Sequence, residues 1–151
     1  MDRNELKQKW LAEEAIAHIH GWDFSHIDGL YEQPDDYPWD YKELILRYLK
    51  PEMKILDMDT GGGEFLLSLP HPRENMAATE AFPPNAQLCR ETLVPLGIDF
   101  REAQADGPLP FGDDTFDMVI NRHGSYCAKE IARILKSGGV FITQQVGAPE
   151  P

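Results

Sequence analysis

One segment constrains this chain more than any other: Ile55-Leu56-Asp57-Met58-Asp59-Thr60-Gly61-Gly62-Gly63-Glu64. An apolar run ends in a carboxylate and passes through three consecutive glycines into a helix-forming stretch. Glycine reaches positive φ without a Cβ clash, and the start of the following helix presents unpaired N–H groups and a positive dipole end. Such a turn suits an anionic or zwitterionic small molecule lying against the backbone. Read alone, a tight connection that holds no ligand accounts for the same residues.

The rest of the chain supplies the setting. From residue 53 onward, short apolar runs alternate with helix-length segments, the pattern of βα units on a parallel sheet. The strands expected are Lys54–Met58, Met76–Thr79, Ile98–Arg101, Phe116–Asn121 and Val140–Gln145. Helices are expected at Glu64–Leu69, at Asn85–Leu96 before Gly97, and at Ala128–Lys136 before Gly138 and Gly139. The fold class is α/β: a doubly wound, mostly parallel Rossmann-like sheet with helices on both faces. An N-terminal helical segment precedes it. Residues 2–20 carry a helical apolar stripe with an acidic cap at Asp2 and Glu5, and Tyr41–Leu49 repeats that spacing before Pro51. Between them, residues 22–41 are too aromatic for a solvated linker and too broken by proline for a regular element. We therefore divide the chain into residues 1–50, helices and an aromatic loop packed on the core, and residues 51–151, the cofactor-binding core.

Composition excludes several functions. Fourteen Lys and Arg against 26 Asp and Glu give a net charge of −12, the opposite of the basic footprint that binding to phosphate backbones requires, so no nucleic-acid partner is expected. No apolar run approaches the ~20 residues of a membrane span, so no membrane partner is expected either. Cys89 and Cys127 are the only cysteines, without a CxxC spacing or a secretory signal, which points to reduced thiols in the cytoplasm. The five histidines lack paired ligands at zinc spacing: His18 and His20 stand two apart on a helical pattern and point to different faces. There is no GxxxxGK[ST] phosphate loop. Cys89 falls inside a helical pattern, as a small core residue would.

Two further motifs carry chemistry. Glu80 closes the second apolar run, 23 residues after Asp57, where a carboxylate at the carboxyl end of a second strand can accept hydrogen bonds from both hydroxyls of a ribose. A helix cap or a solvent-facing acid is the bland alternative. On the ribose role, Glu80→Ala leaves the fold intact and weakens binding. The stretch from Ala105 to Ile120 then places Asp106 after the third strand, followed by Leu109-Pro110-Phe111, an acidic turn and Phe116-Asp117-Met118-Val119. Asp106 can accept from an exocyclic amine, and Leu109 or Phe111 can cover a flat ring.

Together with the closing Ile134-Leu135-Lys136-Ser137-Gly138-Gly139-Val140, these segments over residues 39–147 resemble the class I S-adenosylmethionine-dependent methyltransferases. The resemblance implies S-adenosylmethionine as cofactor. Gly61 and Gly63 would face its methionine part, Glu80 its ribose and Asp106 its adenine. Asp57, Asp59 and Asn121 complete the candidate cofactor-binding set. Asn121-Arg122-His123 follows the fourth strand, where the transferred methyl group lies in this family. His123 is thus the weak catalytic candidate, able to orient or deprotonate an acceptor, and Arg122 a holder of an acidic one; a loop histidine with a structural hydrogen bond is the alternative. No Asn/Asp-Pro-Pro-Tyr sequence follows the strand, which argues against amino groups of bases or glutamine as acceptors. An NAD-type fingerprint fails at Leu66, where a third glycine would stand.

Two positions depart from the family pattern. Asp59 stands where a glycine is usual, placing a charge beside the cofactor's carboxylate, at a cost of about 1 kcal/mol for like charges ~4 Å apart in water and more when sheltered. Asp59→Gly then strengthens binding, unless Asp59 reaches the cofactor's ammonium, which reverses the sign. The chain also stops soon after the fifth strand, where the family continues with a further helix and an antiparallel strand pair. The core is then incomplete at its C-terminal end, and an apolar edge of Val140, Phe141, Ile142 and Thr143 invites pairing with a second copy. The reading is an S-adenosylmethionine-dependent methyltransferase of a small-molecule acceptor. The alternative is a catalytically inactive methyltransferase-like binding or interaction module.

Overall fold

Ile55–Met58 (β1) is buried at every position, as a strand covered on both faces must be. The computed structural model describes residues 2–17, 21, 23–30 and 37–147. Around β1 the described chain builds a five-stranded sheet with Met76–Glu80 (β2), Asp99–Glu102 (β3), Phe116–Arg122 (β4) and Leu135–Gln144 (β5), in the order β3-β2-β1-β4-β5. All four pairings are parallel.

Alternate residues of the strands point to opposite faces, and two separate cores result. On one face Ile55, Met76, Ala78, Met118 and Ile120 pack with Ile45, Leu66, Cys89 and Leu93. These last four come from, or directly follow, Tyr41–Tyr48 (α2), Glu64–Leu67 (α3) and Pro83–Thr92 (α4). On the other face Leu56, Met58, Ala77, Phe116 and Val119 pack with Leu109, Phe111, and Ile131 and Ile134 of Ala128–Ile134 (α5). The sheet is doubly wound, as expected.

Several boundaries moved, each for a local reason. The helix expected over 85–96 starts at Pro83, whose missing N–H costs nothing in a first turn, and stops at Thr92 ahead of Pro95. β5 begins at Leu135, which pairs with Phe116. The register then shifts so that Met118 faces Val140, with the intervening Gly138 at φ 79°. The stretch Lys136–Gly139 is an irregularity within the strand rather than the end of a helix.

At the N-terminus, Arg3–Ile16 (α1) carries the expected capping box between Asp2 and Glu5 and buries none of its side chains. The expected helix residues 18–20, with His18 and His20, lie outside the described residues, as do Trp22 and residues 31–36. Asp40 caps α2 through the Glu43 N–H, and Tyr41 and Ile45 are buried. Trp39 Nε1 donates to Gln144 Oε1 at 3.2 Å, tying the residues before α2 to the end of β5.

The chain leaves β1 on one side, toward β2 and β3, and returns on the other, to β4 and β5. Ligands of such sheets bind where that order reverses, outside the carboxyl ends of the strands. Here that crevice opens between the ends of β1 and β4, where Met58 pairs with Asn121.

Candidate functional site

The glycine turn leaves β1 at this crevice. Gly61 has φ 67° and Gly63 φ 86°, conformations that side chains rarely adopt. A Cβ on Gly63 would stand 2.5 Å from Leu93 Cδ2. Gly63→Ala is therefore expected to cost about 1–2 kcal/mol of folding stability, the scale of one strained backbone position, read as a lower urea midpoint.

Every glycine N–H of the turn is already engaged within the chain. Gly61 N–H donates to Glu80 Oε2 at 2.9 Å, Gly62 N–H to Glu64 Oε2 at 3.0 Å and Gly63 N–H to the Thr60 carbonyl at 3.2 Å. These three N–H groups are therefore not available to an anion. All three glycines are buried, and Gly62 and Gly63 give room to the side chains of Leu88 and Leu93. Cys89, fully buried, donates its thiol to the Gly61 carbonyl at 3.1 Å, and burial pushes that thiol up to about 12. The residue is structural, as its place in a helical pattern suggests.

Glu80 sits at the end of β2 and is buried. Besides Gly61, it accepts the Ala81 and Phe82 N–H groups on Oε1, both at 2.9 Å. It is a latch between the turn and the start of α4. This bears on the expectation that Glu80→Ala leaves the fold intact, because three backbone donors would lose their acceptor.

The remaining acids share this end of the sheet. Asp57 accepts from Thr60 Oγ1 at 2.7 Å and is buried; desolvation, with Asp59 and Glu80 adding repulsion, raises its carboxyl to about 7. Asp59 takes φ 53°, the left-handed conformation that Asp tolerates better than most residues. Desolvation raises its carboxyl to about 6, with Glu80 and Asp106 repelling it further. Asp106 itself is exposed.

Across the crevice, Asn121 is fully buried. Its Oδ1 accepts from Gln145 Nε2 at 2.9 Å, while its Nδ2 has no partner among the described residues. Arg122 follows, its guanidinium 5.0 Å from the Phe65 ring and 5.5 Å from the Tyr41 ring, within cation–π range of both. His123 is exposed and left-handed at φ 62°, and its N–H donates to the Gln144 carbonyl at 2.8 Å. Desolvation by its neighbours and the Arg122 charge hold its imidazole below the usual range. A pocket of about 630 Å³ opens against Trp39, Tyr41, Phe65, Arg122 and Gln144, and His123 is not part of its lining.

The structure thus brings Asp57, Asp59, Gly61, Gly63, Glu80 and Asn121 to one end of the sheet, with Asp106 at its rim. Sequence reasoning missed Thr60 and Gln145, whose roles depend on neighbours rather than on a motif, and Gly124. A Cβ on Gly124 would meet Asp59 Oδ2 and Asn121 Nδ2. The glycine itself was the available signal. Among the described residues no group of three or more His, Cys, Asp or Glu is placed to hold a metal ion.

A family profile described as "Methyltransferase domain" matches residues 56–143, more than half of the chain. The chain belongs to the class I methyltransferase family. Among its relatives, a probable phthiotriol/phenolphthiotriol dimycocerosates methyltransferase 2 of Mycobacterium ulcerans is 31% identical over 54% of this chain and 34% of that protein. Demethylmenaquinone methyltransferase of Thermus thermophilus is 27% identical over 76% of this chain and 56% of that protein. The chain thus spans between about a third and a little over half of the length of these curated relatives. Among solved structures, the PH0226 protein of Pyrococcus horikoshii superposes with a TM-score of 0.56 at 25% identity, covering 79% of this chain and 56% of that one. YcgJ of Bacillus subtilis shares the fold, with a TM-score of 0.58 at 24% identity over 68% of this chain and 49% of that one. The methyltransferase profile ends at Thr143, within β5, and begins at Leu56, so it encloses the glycine turn, Glu80, Asp106 and Asn121.

Proposed function

We propose that this methyltransferase chain binds S-adenosylmethionine in the crevice between β1 and β4 and transfers its methyl group to a small organic acceptor. The observation that carries the reading is the latched glycine turn. Its backbone is bare of side chains at Gly61 and Gly63, and all three glycine N–H groups are spent inside the chain. A dinucleotide's pyrophosphate needs such donors; a neutral thioether or a cationic sulfonium does not.

The residues present fit the cofactor. A carboxylate has about four lone-pair sites, and Glu80 fills three with backbone N–H groups. One site on Oε2 is left for a ribose hydroxyl, rather than the pair the sequence suggested. Asp106 at the rim would take the adenine amine, and the unpaired Asn121 Nδ2 would donate to the methionine end. Bound there, the cofactor supplies an electrophilic methyl group, and the chain's contribution is to orient donor and acceptor in line and to exclude water.

The acceptor side is the pocket of about 630 Å³, within the usual size for small-molecule sites. Tyr41 and Phe65 give it flat apolar walls, with Arg122 held against both rings. His123 is retained as the weak acid–base candidate: its lowered proton affinity leaves a neutral ring at neutral pH. No described helix is long and apolar enough to cross a membrane. Cys89 and Cys127 are unbridged, in keeping with a cytoplasmic setting.

Calorimetric titration of the chain with S-adenosylmethionine, S-adenosylhomocysteine and NAD tests the proposal. The expected result is saturable binding of the first two and none of NAD. Binding of NAD alone, or of none of the three, would overturn it.

A further inference from the structure

Glu80 has both oxygens occupied by backbone donors, and Asp57 is held by Thr60. Asp106 is exposed, where solvent and salt screen its charge. Asp59 differs from all three: its carboxylate accepts no hydrogen bond among the described residues, and it is only partly exposed. Its position is defined from the other side of the crevice. The space above Gly124 where a Cβ would stand lies 2.8 Å from Asn121 Nδ2 and closer still to Asp59 Oδ2. A carboxylate from the end of β1 and an unpaired, fully buried amide donor from the end of β4 therefore both pack against Gly124, and only a glycine there leaves room for them. A side chain that merely fills a turn has no need of a cleared partner position, nor of a buried donor without an acceptor beside it.

We infer that Asp59, given room by Gly124 and set beside Asn121, is a charge-reading residue that favours the cationic sulfonium donor over the neutral thioether product. The inference rests on the S-adenosylmethionine reading. The donor's sulfur carries a positive charge before transfer. When the methyl leaves, the carbon–sulfur electron pair stays on sulfur and the charge is gone. A carboxylate in a sheltered crevice attracts the first form and is indifferent to the second. Because the charge is already fading in the transition state, such a group does not accelerate transfer. It biases the site toward loading fresh donor and releasing spent product. The cofactor's carboxylate and ammonium are carried by both forms, so contacts made to them do not discriminate.

Titration of the wild type, Asp59→Asn and Gly124→Ala with S-adenosylmethionine and S-adenosylhomocysteine at pH 7.5 tests this. Asn keeps the size of Asp and its tolerance of left-handed backbone while removing the charge. Asp59→Asn is expected to weaken S-adenosylmethionine binding about fivefold or more, the worth of one unit-charge attraction at ~4 Å in water, and to change S-adenosylhomocysteine binding less than twofold. Gly124→Ala displaces the carboxylate without altering charge, and should shrink the ratio of the two affinities in the same sense. Equal changes for both ligands, no change for either, or tighter S-adenosylmethionine binding by Asp59→Asn overturns the inference and leaves the cofactor reading standing. A wild type that binds neither ligand overturns both.

Discussion

Glu80→Ala is expected to lower folding stability by about 3 kcal/mol and to weaken S-adenosylmethionine binding more than tenfold. The first effect follows from the latch. The N–H groups of Gly61, Ala81 and Phe82 all end on this one buried carboxylate, and a buried donor left without an acceptor costs about 1–3 kcal/mol. Relief of the repulsion that Glu80 exerts on Asp57 and Asp59 offsets part of that sum. The second effect follows from the first, since the turn is no longer tied to β2, and from loss of the ribose acceptor proposed above. Urea denaturation reads the stability change as a lower midpoint at unchanged slope, and calorimetry reads the binding. Glu80→Gln keeps one carbonyl acceptor and should recover about half of the loss. A Glu80→Ala variant as stable as the wild type would show that the turn holds its shape without the latch.

Asp57→Asn is expected to stabilise the protein by about 2 kcal/mol at pH 8 and to do nothing at pH 4. Burial raises the Asp57 carboxyl to about 7 in the folded chain, against about 3.9 when unfolded. Between those values the folded state binds the proton and the unfolded state does not, so stability falls as pH rises through this window and is then constant. The full shift corresponds to about 4 kcal/mol at about 1.4 kcal/mol per unit. The weaker hydrogen bond that a neutral amide accepts from Thr60 Oγ1, at 2.7 Å in the wild type, removes part of the gain. Asp59, raised to about 6, acts in the same direction up to that pH. The wild type should therefore melt higher at pH 5 than at pH 8, contrary to the usual behaviour of carboxylates paired with cations. Melting temperatures across that range, with Asp57→Asn flatter than the wild type, check the sign. A wild type that gains stability from pH 5 to pH 8 would show Asp57 ionised throughout.

The glycine turn and the acids Asp57 and Glu80 were legible in the chain because their signals are local: an apolar run, a carboxylate and glycines in immediate succession, and Glu80 at the end of the next run. The alternation of short apolar segments with helical ones likewise predicted a doubly wound sheet, and the two cores on opposite faces of β1 match it. Boundaries slipped where a competing local rule acted. Pro95 ended α4 early, and Leu135 was drawn into β5 by its pairing with Phe116.

By itself, the amino-acid sequence determined which residues form strands, that the sheet is parallel, that the first strand runs into a turn bare of side chains, and which family the chain resembles; each follows from periodicity or from neighbours a few residues apart. Only the tertiary structure decided what the site's groups are free to do. Glu80 lies 19 residues from Gly61 and spends its oxygens on the backbone. Asp59 and Gly124 belong to different strand ends yet share one small space, beside an Asn121 amide that has lost water and gained no partner. Hydrogen-bond occupancy, desolvation and steric exclusion depend on distances through space, and residues far apart in the chain acquire those distances only when β1 and β4 are laid side by side.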